Sequence, residues 1–192
     1  MADVVLTRLE PPANEQPLRD DGGAHTQPWI DYHQSIADRV NVIANTMQMR
    51  RGVTDGAEAP AGQVGEFISV SVPIGSAITM GTYTSINVAQ IDLSPGDWDV
   101  WGSVVFQPTA TTSIQNVTAW ISPTSATLPG GAEIEGYVSI RTQFIIGTHQ
   151  VLAVGRVRVL NTTTRTMYLS ALSGFTVSTM VAHGALFARR QR

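Results

Sequence analysis

The chain contains no cysteine. Disulfides, thiolate nucleophiles and cysteine-ligated metals are therefore excluded. Lysine is absent as well, so all 12 basic residues are arginine. Arginine keeps its charge and forms planar, forked hydrogen bonds suited to interfaces, a faint signal for which genomic base composition is the better explanation. Charge is scarce: 14% of residues are Asp, Glu, Lys or Arg and the net charge is -3, against about 25% charged residues in an average soluble domain. A weakly acidic chain is poorly suited to neutralising phosphates, so no nucleic-acid partner is expected. No stretch approaches twenty consecutive apolar residues, and Met1–Arg8 lacks a basic region followed by a sustained apolar run. Neither membrane insertion nor a signal peptide is expected.

What is abundant is Thr, Ser, Gly, Val and Ala, with 43% hydrophobic residues over 192 positions. That balance favours strands and turns around a substantial core. Up to about Gln27 the chain is broken by Pro11-Pro12, Pro17 and Asp20-Asp21-Gly22-Gly23, which prevent a continuous helix or strand. Residues 1–27 read either as a disordered tail or as an extended arm that orders on a partner through Val4, Val5, Leu6 and Leu9.

A helix is expected over 28–51, with Thr26 as a cap, Pro28 in the first turn and Arg50-Arg51-Gly52 at its end. Trp29, Ile36 and Ile43 recur at sevens, interleaved with His33, Val40 and Met47. This stripe of about three heptads is either one face of an amphipathic helix lying on its own domain or the seam of a short parallel bundle. A helix between an arm and a Gly/Pro/Ala linker, 52–63, has little else to cover its apolar side, and β-branched seam residues lean towards three strands. The trimerisation residues expected are Trp29, His33, Ile36, Val40, Ile43 and Met47.

From residue 64 onward the period changes from helical to two. Eight strand-like runs are expected: Glu66–Val72, Thr84–Leu93, Trp98–Gln107, Ile114–Ser122, Val138–Ile146, Gln150–Leu160, Arg165–Leu172 and Thr176–Ala188, separated by turn residues such as Ser94-Pro95-Gly96-Asp97. The expected fold is mainly β: an antiparallel, jelly-roll-like β-sandwich over 64–192, preceded by the arm and one α-helix.

No constellation of catalytic residues stands out. His25, His33, His149 and His183 are scattered, and no Gly-x-Ser-x-Gly elbow is present. Asp92, Asp97 and Asp99 surround a turn that could hold calcium or need no ion at all. Glu133 and Glu135, the acidic pair a glycosidase would need, sit beside Pro129-Gly130-Gly131 in what reads as a loop, so a solvated turn is expected. No enzyme activity, cofactor or metal is expected. The ending Gly184–Arg192 carries Arg189, Arg190 and Arg192, which could reach acidic groups on a neighbouring chain.

The stretch Ile91–Phe106, with its Leu-x-x-Gly-x-Trp-x-Val-x-Gly spacing, resembles a motif of small bacteriophage virion proteins of the fibre or spike type. The Ala-Arg-Arg ending is similar to theirs. The resemblance covers about Gly65 to Arg192 and implies a C1q/TNF-like trimeric β-sandwich head. Trp98, Trp101, Phe106, Trp120 and Phe144 would then pack in the core or along the threefold axis. It also implies a virion location and a homotrimeric tail or head fibre, held to other virion proteins by the arm, whose head could bind a host-surface glycan. The alternative is a capsid decoration or cement protein.

Overall fold

A computed structural model describes residues 22–23, 27–50, 57–129 and 136–192, with only the backbone of 46–50. The arm residues Val4, Val5, Leu6 and Leu9, the cap Thr26, His25, the pair Glu133 and Glu135, and the side chain of Met47 lie outside that description. Two compact units are present, Met1–Arg51 and Gly52–Arg192.

In the first unit, helix α1 spans Gln27–Arg50. Pro28 sits in its first turn, where a missing N–H has no intrahelical acceptor to lose. Gln27 Nε2 donates to Asp31 Oδ1 at 2.7 Å. One turn on, the rings of Trp29, Tyr32 and His33 meet with centroids 5.8–6.2 Å apart, as side chains three and four apart do on a helix. Beyond them Ile36, Val40 and Ile43 are exposed, at 37%, 56% and 40%.

The second unit is built from strands β1 (Phe67–Val72), β2 (Ile78–Thr79), β3 (Ile86–Leu93), β4 (Gly96–Pro108), β5 (Ser113–Ser122), β6 (Tyr137–Arg141), β7 (Gln150–Asn161), β8 (Arg165–Thr176) and β9 (Met180–Arg190). Two expected runs have bounds well away from those the sequence implied. The run ending at Ile146 stops at Arg141, and Phe144 instead donates its N–H to the Ile114 carbonyl from a loop. The last run begins at Met180, because Val177 takes a left-handed backbone, φ 82°, in the preceding turn. The short β2 follows a 3-10 turn at Ile74–Ser76 and pairs with β9, completing the broken edge strand that β1 begins.

One sheet has the order β1-β9-β4-β7 with β2 also on β9; the other has the order β3-β8-β5-β6. All pairings are antiparallel. Counting β1 and β2 as one broken strand, successive strands alternate between sheets except for β5 and β6. This is the double Greek key of a jelly roll. Between the sheets lie Val100, Val104 and Phe106 of β4, Leu169 and Ala171 of β8, Ile114, Val117 and Ile121 of β5, and Leu186 of β9, all buried.

The Leu-x-x-Gly-x-Trp spacing has a structural reason. Leu93 and Trp98 are fully buried, with Trp98 Nε1 donating to the Ser94 carbonyl at 2.9 Å. Arg190, at the end of β9, is 5% exposed and lies with its guanidinium carbon 4.3 Å from the Trp98 ring centre. It donates to Glu66 Oε2 at 2.8 Å, the Pro95 carbonyl at 2.7 Å and Ser94 Oγ at 2.6 Å. A Cβ at Gly96 would overlap that guanidinium. Glycine at 96 is therefore room for an arginine.

Removing one member of a buried, hydrogen-bonded ion pair strands the other, at a cost of about 3–5 kcal/mol. Arg190→Ala is expected to lower the thermal midpoint by roughly 6–20 °C, read by calorimetry. An unchanged midpoint would show that the buried arginine contributes nothing net.

Candidate functional site

Because strand side chains alternate, the face of the first sheet turned away from the core is read from the other phase of each strand. It carries Phe67 and Ser69 from β1, Phe187, Ala185 and His183 from β9, Asp97, Asp99, Trp101, Ser103 and Val105 from β4, and Ala153 and Val151 from β7. Trp101 and Phe187 are direct cross-strand partners, with ring centres 5.9 Å apart. Phe67 stacks on Phe187 at 6.1 Å and lies 6.1 Å from Trp101. Three aromatic rings thus form one patch on an outer sheet face, with Phe67 40% exposed. Beside it the face is uncharged: Ser69, Ala185, Ser103 and Ala153, then Val105 and Val151.

On the opposite side of the aromatic patch the face turns ionic. A bulge sets two β7 residues, Gly155 and Arg156, against Trp101 alone on β4. With Val154 and Val157 both turned inward, this delivers Arg156 and Arg158 to the outer face. Arg158 donates to both Asp97 oxygens, at 2.9 and 2.7 Å, and Arg192 Nε adds a third bond at 2.8 Å. Asp99 Oδ2 accepts from Arg156 at 2.8 Å and from Gln191 Nε2 at 2.7 Å. The arginine side chains of these pairs are 52–71% exposed, so each pair contributes at most about 1 kcal/mol. Their effect is to hold the C-terminal residues against the sheet. Arg189 lies between Phe67 and Asp99 in register, and its side chain has no hydrogen-bond or ion-pair partner among the described residues. Asp99, Trp101, Arg156, Arg189 and Gln191 line a shallow cleft of about 260 Å³.

These positions revise several sequence expectations. Trp98 and Phe106 are fully buried in the core and Phe144 packs against it, whereas Trp120, also fully buried, stands in the other phase of β5 from the core residues Val117, Ala119 and Ile121, so of the five aromatic candidates for axial packing Trp101 is the one on the outer face of the first sheet. The partners it meets there, Phe67 and Phe187, were not singled out, although each stands in the outward phase of an alternating strand. Arg190 and Arg192 find their carboxylates, Glu66 and Asp97, within their own chain. The acidic turn is used the same way: Asp92 accepts from Thr166 at 2.5 Å, and Asp97 and Asp99 are taken by arginines. No group of three or more metal-ligating side chains converges among the described residues. Likewise no described helix is long and apolar enough to cross a membrane. Trp29, His33, Ile36, Val40 and Ile43 stand on α1, with the first two in ring contact.

No protein-family model matches the chain, and no curated protein matches it in sequence. Among solved structures, that of the infectious bursal disease virus Gx strain is similar with a TM-score of 0.44 and 12% identity, over 73% of this chain and 36% of that one. The infectious bursal disease virus VP2 subviral particle gives 0.45 and 9%, over 73% and 36%. The chain therefore spans little more than a third of the length of those proteins.

The bonds from Arg158, opposed by burial and helped by the charges of Arg158 and Arg192, hold the Asp97 carboxyl below its ordinary value. A carboxylate with a depressed pKa stabilises the fold above its unfolded pKa of about 3.9, and that contribution is lost as pH falls through the lower folded value. Stability is thus expected to fall as pH drops below about 4. Asp97→Asn should flatten that fall, read as thermal midpoint against pH; an identical acid slope in the variant would remove Asp97 from the account.

Proposed function

We propose that the chain is a structural virion protein that works as a homotrimer, a short tail or head fibre rather than an enzyme. The observation that carries this reading is the stacked Phe67, Trp101 and Phe187 on the outer face of the β1-β9-β4-β7 sheet, bordered on one side by uncharged small residues and valines. Aromatic rings gathered outside a core mark an interaction surface. A second copy of the same chain is the occupant for which there is independent support, since the Ile36, Val40 and Ile43 row of α1 is also exposed. Covering both by threefold self-association removes them from water together. Jelly-roll strand order agrees with the head implied by the Ile91–Phe106 resemblance. Under this reading α1 contributes Trp29, His33, Ile36, Val40, Ile43 and Met47 to a parallel seam. Val4, Val5, Leu6 and Leu9 of the arm attach to other virion proteins, and the face of the head left outside the trimer is open to a host-surface glycan.

Light scattering on the full chain at low micromolar concentration should give three times 20.6 kDa. Trp101→Glu combined with Phe187→Glu should shift that mass to the monomer with the β-sheet spectrum retained. Ile36→Asn with Ile43→Asn should weaken the trimer, because polar side chains would enter two layers of a short seam. A monomeric unaltered chain would overturn the trimer and favour a decoration protein; an unshifted mass in the aromatic variant would move the interface elsewhere.

A further inference from the structure

The outer face of the second sheet holds a different kind of site, at the end of the sandwich opposite Glu66, where the linker reaches β1. There Tyr83, in the loop before β3, is 62% exposed yet tightly held. Its backbone is left-handed, φ 56°, a conformation that costs a bulky residue energy and persists only when its surroundings enforce it. The enforcement is visible. Tyr83 donates its N–H to the Ser173 carbonyl at 2.8 Å. The adjacent Thr82 hydroxyl donates to the Phe175 carbonyl at 2.9 Å and accepts the Phe175 N–H at 3.1 Å. The Tyr83 ring lies over Gly174, where any Cβ would overlap it. Its hydroxyl donates to Gln115 Oε1 at 3.2 Å.

Around this fixed ring, Gln115, Asn116, Arg141 and Leu172 complete a cleft of about 370 Å³. Gln115 stands in the β5 bulge between Ile114 and Asn116, while Arg141, Asn116 and Gly174 form one cross-strand row. Both amide oxygens are already used, Gln115 by the Tyr83 hydroxyl and Asn116 by the Gly174 N–H. What each amide offers outward is its NH₂ group. Arg141 is exposed and has no side-chain partner among the described residues. No carboxylate lines the cleft.

We propose that Tyr83, Gln115, Asn116 and Arg141 form a binding site for an acidic saccharide, a pyranose ring bearing a carboxylate. The ring's C–H face lies on the held tyrosine, the two amides donate to its hydroxyls, and the Arg141 fork receives its carboxylate. A ring already ordered before binding loses little entropy when the ligand arrives, which is what a strained, stapled Tyr83 provides. An exposed aromatic kept only for stability has no such need of an unfavourable backbone. The site names the glycan-binding surface of the function proposed above and rests on that reading only for this face remaining open in the trimer.

The test is calorimetric titration and saturation-transfer NMR of the full chain with sialyllactose and methyl glucuronoside, beside lactose and methyl glucoside, with solution mass measured on the same samples. Saturable millimolar binding is expected for at least one acidic sugar, at least about tenfold weaker for its neutral counterpart. Tyr83→Asn keeps a residue that tolerates the left-handed backbone, so it should leave the thermal midpoint unchanged or raised while abolishing binding; Arg141→Gln should weaken binding about tenfold. No binding to either acidic sugar, equal binding of the neutral ones, or binding that survives Tyr83→Asn would each overturn the site. A trimer without binding refutes this site alone, and binding by a monomer refutes the trimer alone.

Discussion

Arg190 is the point on which the β unit turns. Its guanidinium is buried where three distant pieces of chain meet: the end of β9 that carries it, the start of β1 through Glu66, and the turn into β4 through Ser94, Pro95 and the Trp98 ring. Glu66 in turn accepts the Gly62 N–H at 2.8 Å, so the chain just before β1 is held by the same pair. A buried cation is tolerable only when paired and hydrogen-bonded, and here every donor direction used has an acceptor. The result is a closed end for a sandwich whose first and last strands are neighbours.

From that closed end the two sheets diverge in character. The first offers stacked aromatics, small residues and valines, with its charges collected in a ladder of Asp97 and Asp99 against Arg156, Arg158 and Arg192. Such a face suits a partner of the same kind. The second sheet offers a rigid tyrosine amid outward-facing donors, suited to a small polar ligand. A jelly roll separates such tasks readily, because its two sheets present opposite faces while sharing one core.

Much of this was legible along the chain. Alternation in Val100, Gly102, Val104 and Phe106 against Trp101, Ser103 and Val105 marked β4 and its two faces, and the Pro28-to-Arg50 helix followed from its terminal residues. Less legible was where a run of β-prone residues ceases to be strand. Phe144, Ile145 and Ile146 look like strand but close a loop, because Phe144 and Gly147 donate their N–H groups to Ile114 and Thr112 rather than to a ladder. Neither the Trp101 patch nor the Tyr83 cleft could be assembled beforehand. Phe67 and Phe187, like Tyr83 and Gly174, are brought together by pairings between residues far apart in sequence.

The sequence by itself determined the elements: a helix, and strands whose period of two divides each into a buried and an outward phase. That much follows from local sterics and hydrophobic spacing. Which strands lie side by side was decided only in three dimensions. Only one pair, β5 and β6, joins neighbours in chain order within a sheet, and the bond that closes the unit spans 124 residues. Pairing over such distances depends on how two whole sheets bury one core, a property of no single segment.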